Sequence, residues 1–390
     1  MPSTDLRTYI TLPDDLAPPA AGLPVAPPSC VLLTGATGYL GAYLLRALLD
    51  RSEATIVCLV RTNDAHAGLA RIQANLARYD LGADVSRIDV RPGAVEEPRL
   101  GLDGPTWQAL ARDVDVIVHA AANVNFMPTL DRLRPVNVGG VVNLLRLAAH
   151  TRPKTLHLAS SYSVFNEASY AGVPRVTEDP LIGHGAGFRV GYPMSKWIAE
   201  RVTDLARERG WSVATHRLGL LWGDARSGRS KADDLLTLIV RACLVLGRAQ
   251  DVDFLMHVTP VDFAAAAVAE VALAPAEANG HYHAVTETPI AWRDFVRAVR
   301  EQGHTLDLVS TTAWHDALRA ALPAHREFTT LAVMGAQDPT RGFSDANIFS
   351  MQFDASRLRA ALAGTDVVCP PLDRRLIGTY LNAIARDTPA

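Results

Sequence analysis

The chain has 390 residues, 48% of them hydrophobic, with a net charge of -3: enough apolar material for a full core, and no basic field of the kind that binds nucleic acid. Its four cysteines, Cys30, Cys58, Cys243 and Cys369, are far apart and lack metal-ligand spacing, which argues against a disulfide framework or a metal site and for a reducing, cytoplasmic setting. No run approaches the ~20 apolar residues of a membrane span; the stretch from Phe263 to Pro275, interrupted by Glu270, reads as an Ala-rich buried helix.

Residues 1–29 contain seven prolines, a composition that predicts an extended linker. From Cys30 the pattern changes. Cys30-Val31-Leu32-Leu33 reads as a strand, Thr34-Gly35 begins a turn, and Tyr39 to Leu49 is amphipathic. Further strands are expected at Thr55–Val60, near Ile88–Val90, at Val114–His119, Thr155–Leu158 and Ser212–Arg217, with helical stretches around Ala67–Tyr79, Val138–Ala149 and Trp197–Arg209. Strands alternating with helices imply right-handed crossovers and a parallel sheet covered on both faces. The fold class is therefore α/β, a Rossmann-type doubly wound sheet, over residues 30–225. Strand-like runs His257–Val261 and His281–Val285 are expected to return to it, within about residues 255–285. Residues 226–250 and 286–390 are expected to form a smaller, mainly helical substrate lobe.

Thr34-Gly35-Ala36-Thr37-Gly38-Tyr39-Leu40-Gly41 places three glycines at spacing G-x-x-G-x-x-G between strand and helix. Such a turn lets a dinucleotide pyrophosphate approach the backbone and meet the N–H groups and positive dipole of the helix N-terminus. Sites that prefer NAD carry an acidic residue at the end of the second strand; here that strand ends in Arg61, which would pair with a 2′-phosphate. NADPH is the expected cofactor, with Arg71 as a second cation or else a solvated helix charge.

Gly191-Tyr192-Pro193-Met194-Ser195-Lys196 opens a helix and puts Tyr192 and Lys196 on one face. An ammonium beside a phenol would lower the tyrosine pKa and make Tyr192 a proton donor to a developing alkoxide. The strand Leu156-His157-Leu158-Ala159 ends in Ser160-Ser161, where hydroxyls would face the nicotinamide. Ser161 is the expected second oxyanion donor, with Ser160 the competing choice and otherwise a contact at the cofactor. After His119, which reads as a packing residue, Ala120 and Ala121 leave room for a cofactor ring.

In order, TGATGYLG, CLVR, HAAANVNF, PVNVGG, HLASS, GYPMSK and HRLGLLWGDARSG resemble the extended short-chain dehydrogenase/reductase superfamily over about residues 30–290. Within it the likeness is to the thioester reductase domains that end nonribosomal peptide and polyketide synthases, and to the reductase domains of carboxylic acid and aminoadipate reductases. The resemblance implies a catalytic set Ser161, Tyr192, Lys196 and a support for the cofactor-side loop at Asn137, which otherwise reads as a helix N-cap. It also implies NADPH-dependent reductive release of an acyl or peptidyl thioester, held on the phosphopantetheine of a carrier protein, to an aldehyde or onward to the alcohol. Monomeric behaviour as an isolated domain is expected. Two positions depart from the family pattern: Gly93-Ala94-Val95 stands where G-D-L is common near the adenine, and Leu218 where a proline often follows the arginine. The alternatives are a stand-alone enzyme of the same superfamily acting on a sugar nucleotide or small carbonyl, and a non-catalytic NADP-binding regulator.

Overall fold

A computed structural model describes residues 5–17, 22, 26–82, 84–125, 127–274, 278–337 and 347–386. Seven strands form the central sheet: β1 (Cys30–Thr34), β2 (Thr55–Val60), β3 (Ile88–Pro92), β4 (Val116–His119), β5 (Thr155–Ser161), β6 (Val213–Leu218) and β7 (Gly280–Ala284). Their order is β7-β6-β5-β4-β1-β2-β3, and every pairing is parallel. The chain runs outward from β1 through β2 to β3, then returns to lay β4 on the other side of β1. That reversal opens a crevice beyond the carboxyl ends of β1 and β4, where α/β sheets bind ligands.

The strands are near-continuous apolar runs because helices cover both faces. On one face, Leu156 and Leu158 of β5 share a core with Trp197, Ile198 and Val202 of a long helix, Gly191–Glu208. On the other, Val31 and Leu33 of β1 pack with Leu44, Leu45 and Leu48 of α1 (Tyr39–Arg51) and with Ala264, Ala267 and Val268 of the helix Val261–Leu273, the Ala-rich stretch of the sequence. A third core joins Trp222, Ile239, Phe295, Trp314 and Ile377 and belongs to the second lobe.

Three expectations are corrected. Residues 5–17 are not an unpacked linker: Leu6, Leu12 and Leu16 are buried against the first core, and Asp15 pairs with Arg146 at 2.6 Å. Of the prolines behind that expectation, Pro2, Pro18, Pro19 and Pro24 lie outside the described residues. Of the two returning runs only Gly280–Ala284 joins the central sheet; Val258–Pro260 pairs instead with Leu220–Trp222 in a separate ribbon, because Val261 already begins a helix. Residues 286–390 do not all belong to the second lobe. Gln352–Phe353 pairs with Arg175–Val176, Met351 and Phe353 sit in the first core, and Leu358 and Leu362 lie in the second.

Among the described residues no helix is long and apolar enough to cross a membrane, and no group of histidine, cysteine, aspartate or glutamate is placed to hold a metal.

Candidate active site

The glycine turn leaves β1 at Gly35, whose φ of +87° is open to glycine and strained for other residues. A Cβ there would stand 2.7 Å from the Ala120 carbonyl carbon and the Ala121 nitrogen, and one on Gly41 would fall 1.8 Å from the Gly35 oxygen. Turn, loop and helix are therefore packed backbone on backbone. Gly38 differs, since a Cβ there would meet only the Gly35 oxygen, at 3.2 Å, and would otherwise project into open space. Gly38 is also the N-cap of α1 and gives no side-chain cap, so the first amides of the helix, at Tyr39 and Leu40, face outward without a capping side chain. An anion-sized cradle of this kind fits a pyrophosphate.

Around this turn, Asn75 donates to the carbonyls of Ala36 and Gly38 at 3.0 and 2.9 Å. Thr34 is spent inside the fold: its Oγ1 meets His119 Nδ1 at 2.7 Å and accepts from the Ala121 amide at 3.2 Å. His119 is fully buried, and desolvation, with the nearby Lys196, holds its pKa down to about 3. It is a neutral packing group. The Tyr39 phenol turns away from the turn to donate to the Trp222 carbonyl at 2.6 Å, which leaves its backbone amide, with those of Thr37 and Leu40, as the groups that can serve a phosphate. Arg61 is largely exposed beyond β2 and lies 3.9 Å from Glu96, while Arg71 comes back to donate to the Arg61 carbonyl. The two arginines expected to read the 2′-phosphate are thus side by side.

The helix Gly191–Glu208, here α2, has Val190 as its N-cap and accommodates Pro193 in its first turn. It carries Tyr192, Lys196 and Glu200, four residues apart on one face. Lys196 Nζ donates to the Ala159 carbonyl at 2.7 Å. Ser161, at the end of β5, hydrogen-bonds to the Tyr192 hydroxyl and accepts from the Ser163 amide at 3.2 Å. The structure brings Ser161, Tyr192 and Lys196 together, but the tyrosine is not acidified as expected. Burial lifts it to about 12 and only the Ser161 hydrogen bond opposes this, so it is a protonated phenol at neutral pH. Burial lowers Lys196 to about 8, with Glu200 acting to raise it.

Ser160 behaves differently from its neighbour. Side chains alternate along a strand, so Ser160 follows Leu156 and Leu158 onto the α2 face, where its hydroxyl donates to Glu200 at 2.5 Å. It does not turn its hydroxyl to the cofactor crevice.

Asn137 is not a helix N-cap. It lies in a π-turn, Pro135–Gly139, between the helical segments Leu130–Arg134 and Gly140–Ala149, and is 2% exposed. Its Oδ1 accepts from the Asn123 amide at 2.8 Å, and its Nδ2 donates to the Asn123 carbonyl at 3.0 Å and to Ser195 Oγ at 2.9 Å. Ser195 in turn donates to the Tyr192 carbonyl at 2.7 Å. The loop after β4 is thereby tied to the first turn of α2.

Three residues of this framework went unread in the sequence: Asn75, Ser195 and Glu200. Glu200 alone had a visible signal, being the next step of the four-residue period through Tyr192 and Lys196.

A glycine turn at the strand-order reversal that fits a pyrophosphate, with a serine, a tyrosine and a lysine brought together at the end of β5, belongs to a class: a Rossmann-type, NAD(P)-dependent oxidoreductase of the extended short-chain dehydrogenase/reductase kind. The NAD-binding family described as Male sterility protein matches residues 33–268, and the chain belongs to that family. It is 32% identical over 360 residues to a linear gramicidin synthase of Brevibacillus parabrevis, covering 91% of this chain and 7% of that one. It is 35% identical over 391 residues to the isonitrile lipopeptide synthase of Streptomyces coeruleorubidus, covering 98% and 26% respectively. The chain therefore spans only a small part of these curated relatives. Among solved structures, the terminal R domain from the myxalamid PKS-NRPS biosynthetic pathway superimposes with a TM-score of 0.88 at 31% identity, covering 98% of this chain and 97% of that one.

Proposed function

We propose that the chain is a terminal reductase domain that releases an acyl or peptidyl thioester from the phosphopantetheine arm of a carrier protein as an aldehyde, using NADPH. The observation that carries this reading is the convergence of Ser161, Tyr192 and Lys196 at the end of β5, on a chain whose likeness to a terminal R domain covers nearly the whole of both. A sugar-nucleotide substrate is not favoured by that likeness. A purely binding role leaves the half-buried Tyr192 and the buried Lys196 without a purpose.

The amides of Thr37, Tyr39 and Leu40, on a turn shaped by Gly35, Gly38 and Gly41, fit the pyrophosphate; Arg61 and Arg71 fit a 2′-phosphate; Ala120 and Ala121, braced by Asn137, leave space for the ring. NADPH supplies the hydride when bound. The protein's part is to hold the thioester carbonyl with its oxygen against the hydroxyls of Ser161 and Tyr192, two donors aimed at charge that develops as the carbonyl carbon is reduced. Tyr192 passes its proton to that oxygen, giving a thiohemiacetal, and the nearby Lys196 ammonium offsets the charge left on the phenol. Collapse breaks the carbon–sulfur bond, the thiol leaves with a proton, and the aldehyde remains. A second round at the same centre gives the alcohol. Residues 30–225 with the helix Val261–Leu273 and β7 make up the cofactor domain, and 226–250 is part of the second lobe. Four free cysteines suit a reducing, cytoplasmic setting.

The test is incubation with a panel of acyl-pantetheine thioesters and NADPH, with products read by mass spectrometry. Aldehyde or alcohol, with free pantetheine, is expected; consumption of NADPH with nucleotide sugars and none with thioesters would overturn the reading. In parallel, Arg61→Ala should raise KM for NADPH about tenfold or more while leaving NADH use unchanged. An unaltered NADPH-to-NADH preference would remove Arg61 from the phosphate site.

A further inference from the structure

Three consecutive residues at the end of β5 each meet one of three residues spaced by four along α2. The Ala159 carbonyl accepts from Lys196 at 2.7 Å, the Ser160 hydroxyl donates to Glu200 at 2.5 Å, and Ser161 hydrogen-bonds to Tyr192. The outer two pairs contain the groups assigned to chemistry. The middle pair contains none of them, yet it is the most deeply buried, with Ser160 at 3% and Glu200 at 0% exposure.

Glu200 is more than a partner for one serine. Its second oxygen accepts from Arg217 Nε of β6 at 3.0 Å, and both side chains of that ion pair are wholly excluded from solvent. Arg217 also donates to the Asp179 carbonyl at 2.9 Å, in the loop that leads into α2, and its guanidinium lies over the Phe165 ring, 5.0 Å from its centroid. One carboxylate therefore joins the end of β5, the body of α2, β6 and the segment that delivers Tyr192. A buried ion pair is weak support for stability, because desolvating two charges offsets most of their attraction. A fixed geometry is what such a network provides.

We propose, on the reading that Ser161, Tyr192 and Lys196 perform the reduction, that Glu200 and Ser160 are positioning residues which lock the register between β5 and α2 and so set the geometry of those three groups. Displacing a reacting group by an ångström costs rate far more than binding. Removing the middle contact should therefore slow the chemical step while leaving the cofactor cradle, built on β1 and α1, as it was. The charge of Glu200 has a second effect. Arg217 from β6 pairs with Glu200; Arg207, His281 and Tyr170 lie within electrostatic range of Glu200, and His119 from β4 lies within electrostatic range of Lys196. Glu200 itself acts to keep Lys196 protonated. Without its charge the lysine should lose its proton at lower pH.

The experiment uses the full chain with an acyl-pantetheine thioester and NADPH, and compares Ser160→Ala, Glu200→Gln and Tyr192→Phe for kcat, NADPH affinity by fluorescence, and the pH profile of kcat. Ser160→Ala leaves the Glu200–Arg217 pair intact and so keeps the fold testable. It should lower kcat about tenfold with NADPH affinity within about twofold of the parent. Glu200→Gln should move the alkaline fall of kcat to lower pH, which loss of packing alone would not do. The proposal is overturned if Ser160→Ala weakens NADPH binding in proportion to its loss of rate, or if both variants keep the parent kcat and pH profile while Tyr192→Phe is inactive. Activity retained in Tyr192→Phe would instead remove the catalytic reading on which the proposal rests.

Discussion

Lys196 Nζ sits 2.7 Å from the carbonyl oxygen of Ala159, inside the protein, with no carboxylate of the described residues in direct contact. A lysine held by a neutral acceptor in a dry site loses its proton easily, and burial brings this one down to about 8. Because the proposed mechanism needs the ammonium form, kcat should fall as pH rises through about 8. Tyr192, lifted to about 12, stays protonated throughout that range and is not the source of the limb. Lys196→Met should lose the limb and run roughly 10²- to 10⁴-fold slower. A pH-rate profile of parent and variant checks this; an alkaline limb that survives in Lys196→Met would rule the lysine out as its source.

Asn137 makes three hydrogen bonds from a nearly sealed position, two to Asn123 and one to Ser195. Asn137→Ala strands the Asn123 amide and carbonyl and frees the loop carrying Ala120 and Ala121 from the first turn of α2. The expected loss of stability is about 2–3 kcal/mol, read by denaturant unfolding, together with weaker NADPH binding. Unchanged stability would show that water replaces the side chain at no cost.

Why some of this framework was readable from the sequence and some was not comes down to range. The glycine turn and the Tyr192–Lys196 step are local patterns, and a parallel sheet fixes which ends of the strands face the crevice. Whether Ser160 or Ser161 faces it depends on strand phase, and that phase was already present in the apolar alternation Leu156, Leu158. Arg217 meeting Glu200, or Asn75 bracing the glycine turn, are contacts between elements that only the folded topology brings together. The prolines of the first 29 residues give the segment the composition of a linker, whereas its burial comes from Leu6, Leu12 and Leu16, whose spacing follows neither the helical nor the strand period. Phe353 is harder still: it reaches the first core by pairing its short strand with Arg175–Val176, nearly half a chain away.

His119, His157, His216 and His283 are all buried, and burial pushes each below the ordinary imidazole range. Below about pH 6.5 the unfolded chain takes up protons that these folded imidazoles refuse, so the unfolded state binds more protons and stability falls as pH falls. Each contributes up to about 1.4 kcal/mol per pH unit below 6.5, ceasing only when the folded form is itself protonated, near pH 3 for His119 and His216. Urea unfolding at pH 7 and pH 5.5 should show a clear drop in the free energy of unfolding. Equal values at the two pH values would mean that the folded protein admits the protons.

The proposed mechanism rests on Tyr192 delivering the proton while hydride reaches a thioester carbonyl. Single-turnover reaction of an acyl-pantetheine thioester with NADPH deuterated at the nicotinamide 4-position, in the parent and in Tyr192→Phe, puts both halves of that step to the test. Deuterium should appear on the former carbonyl carbon of the released aldehyde or alcohol in the parent, with almost no turnover in Tyr192→Phe despite unchanged NADPH binding. Deuterated product formed by Tyr192→Phe at the parent rate would refute the mechanism.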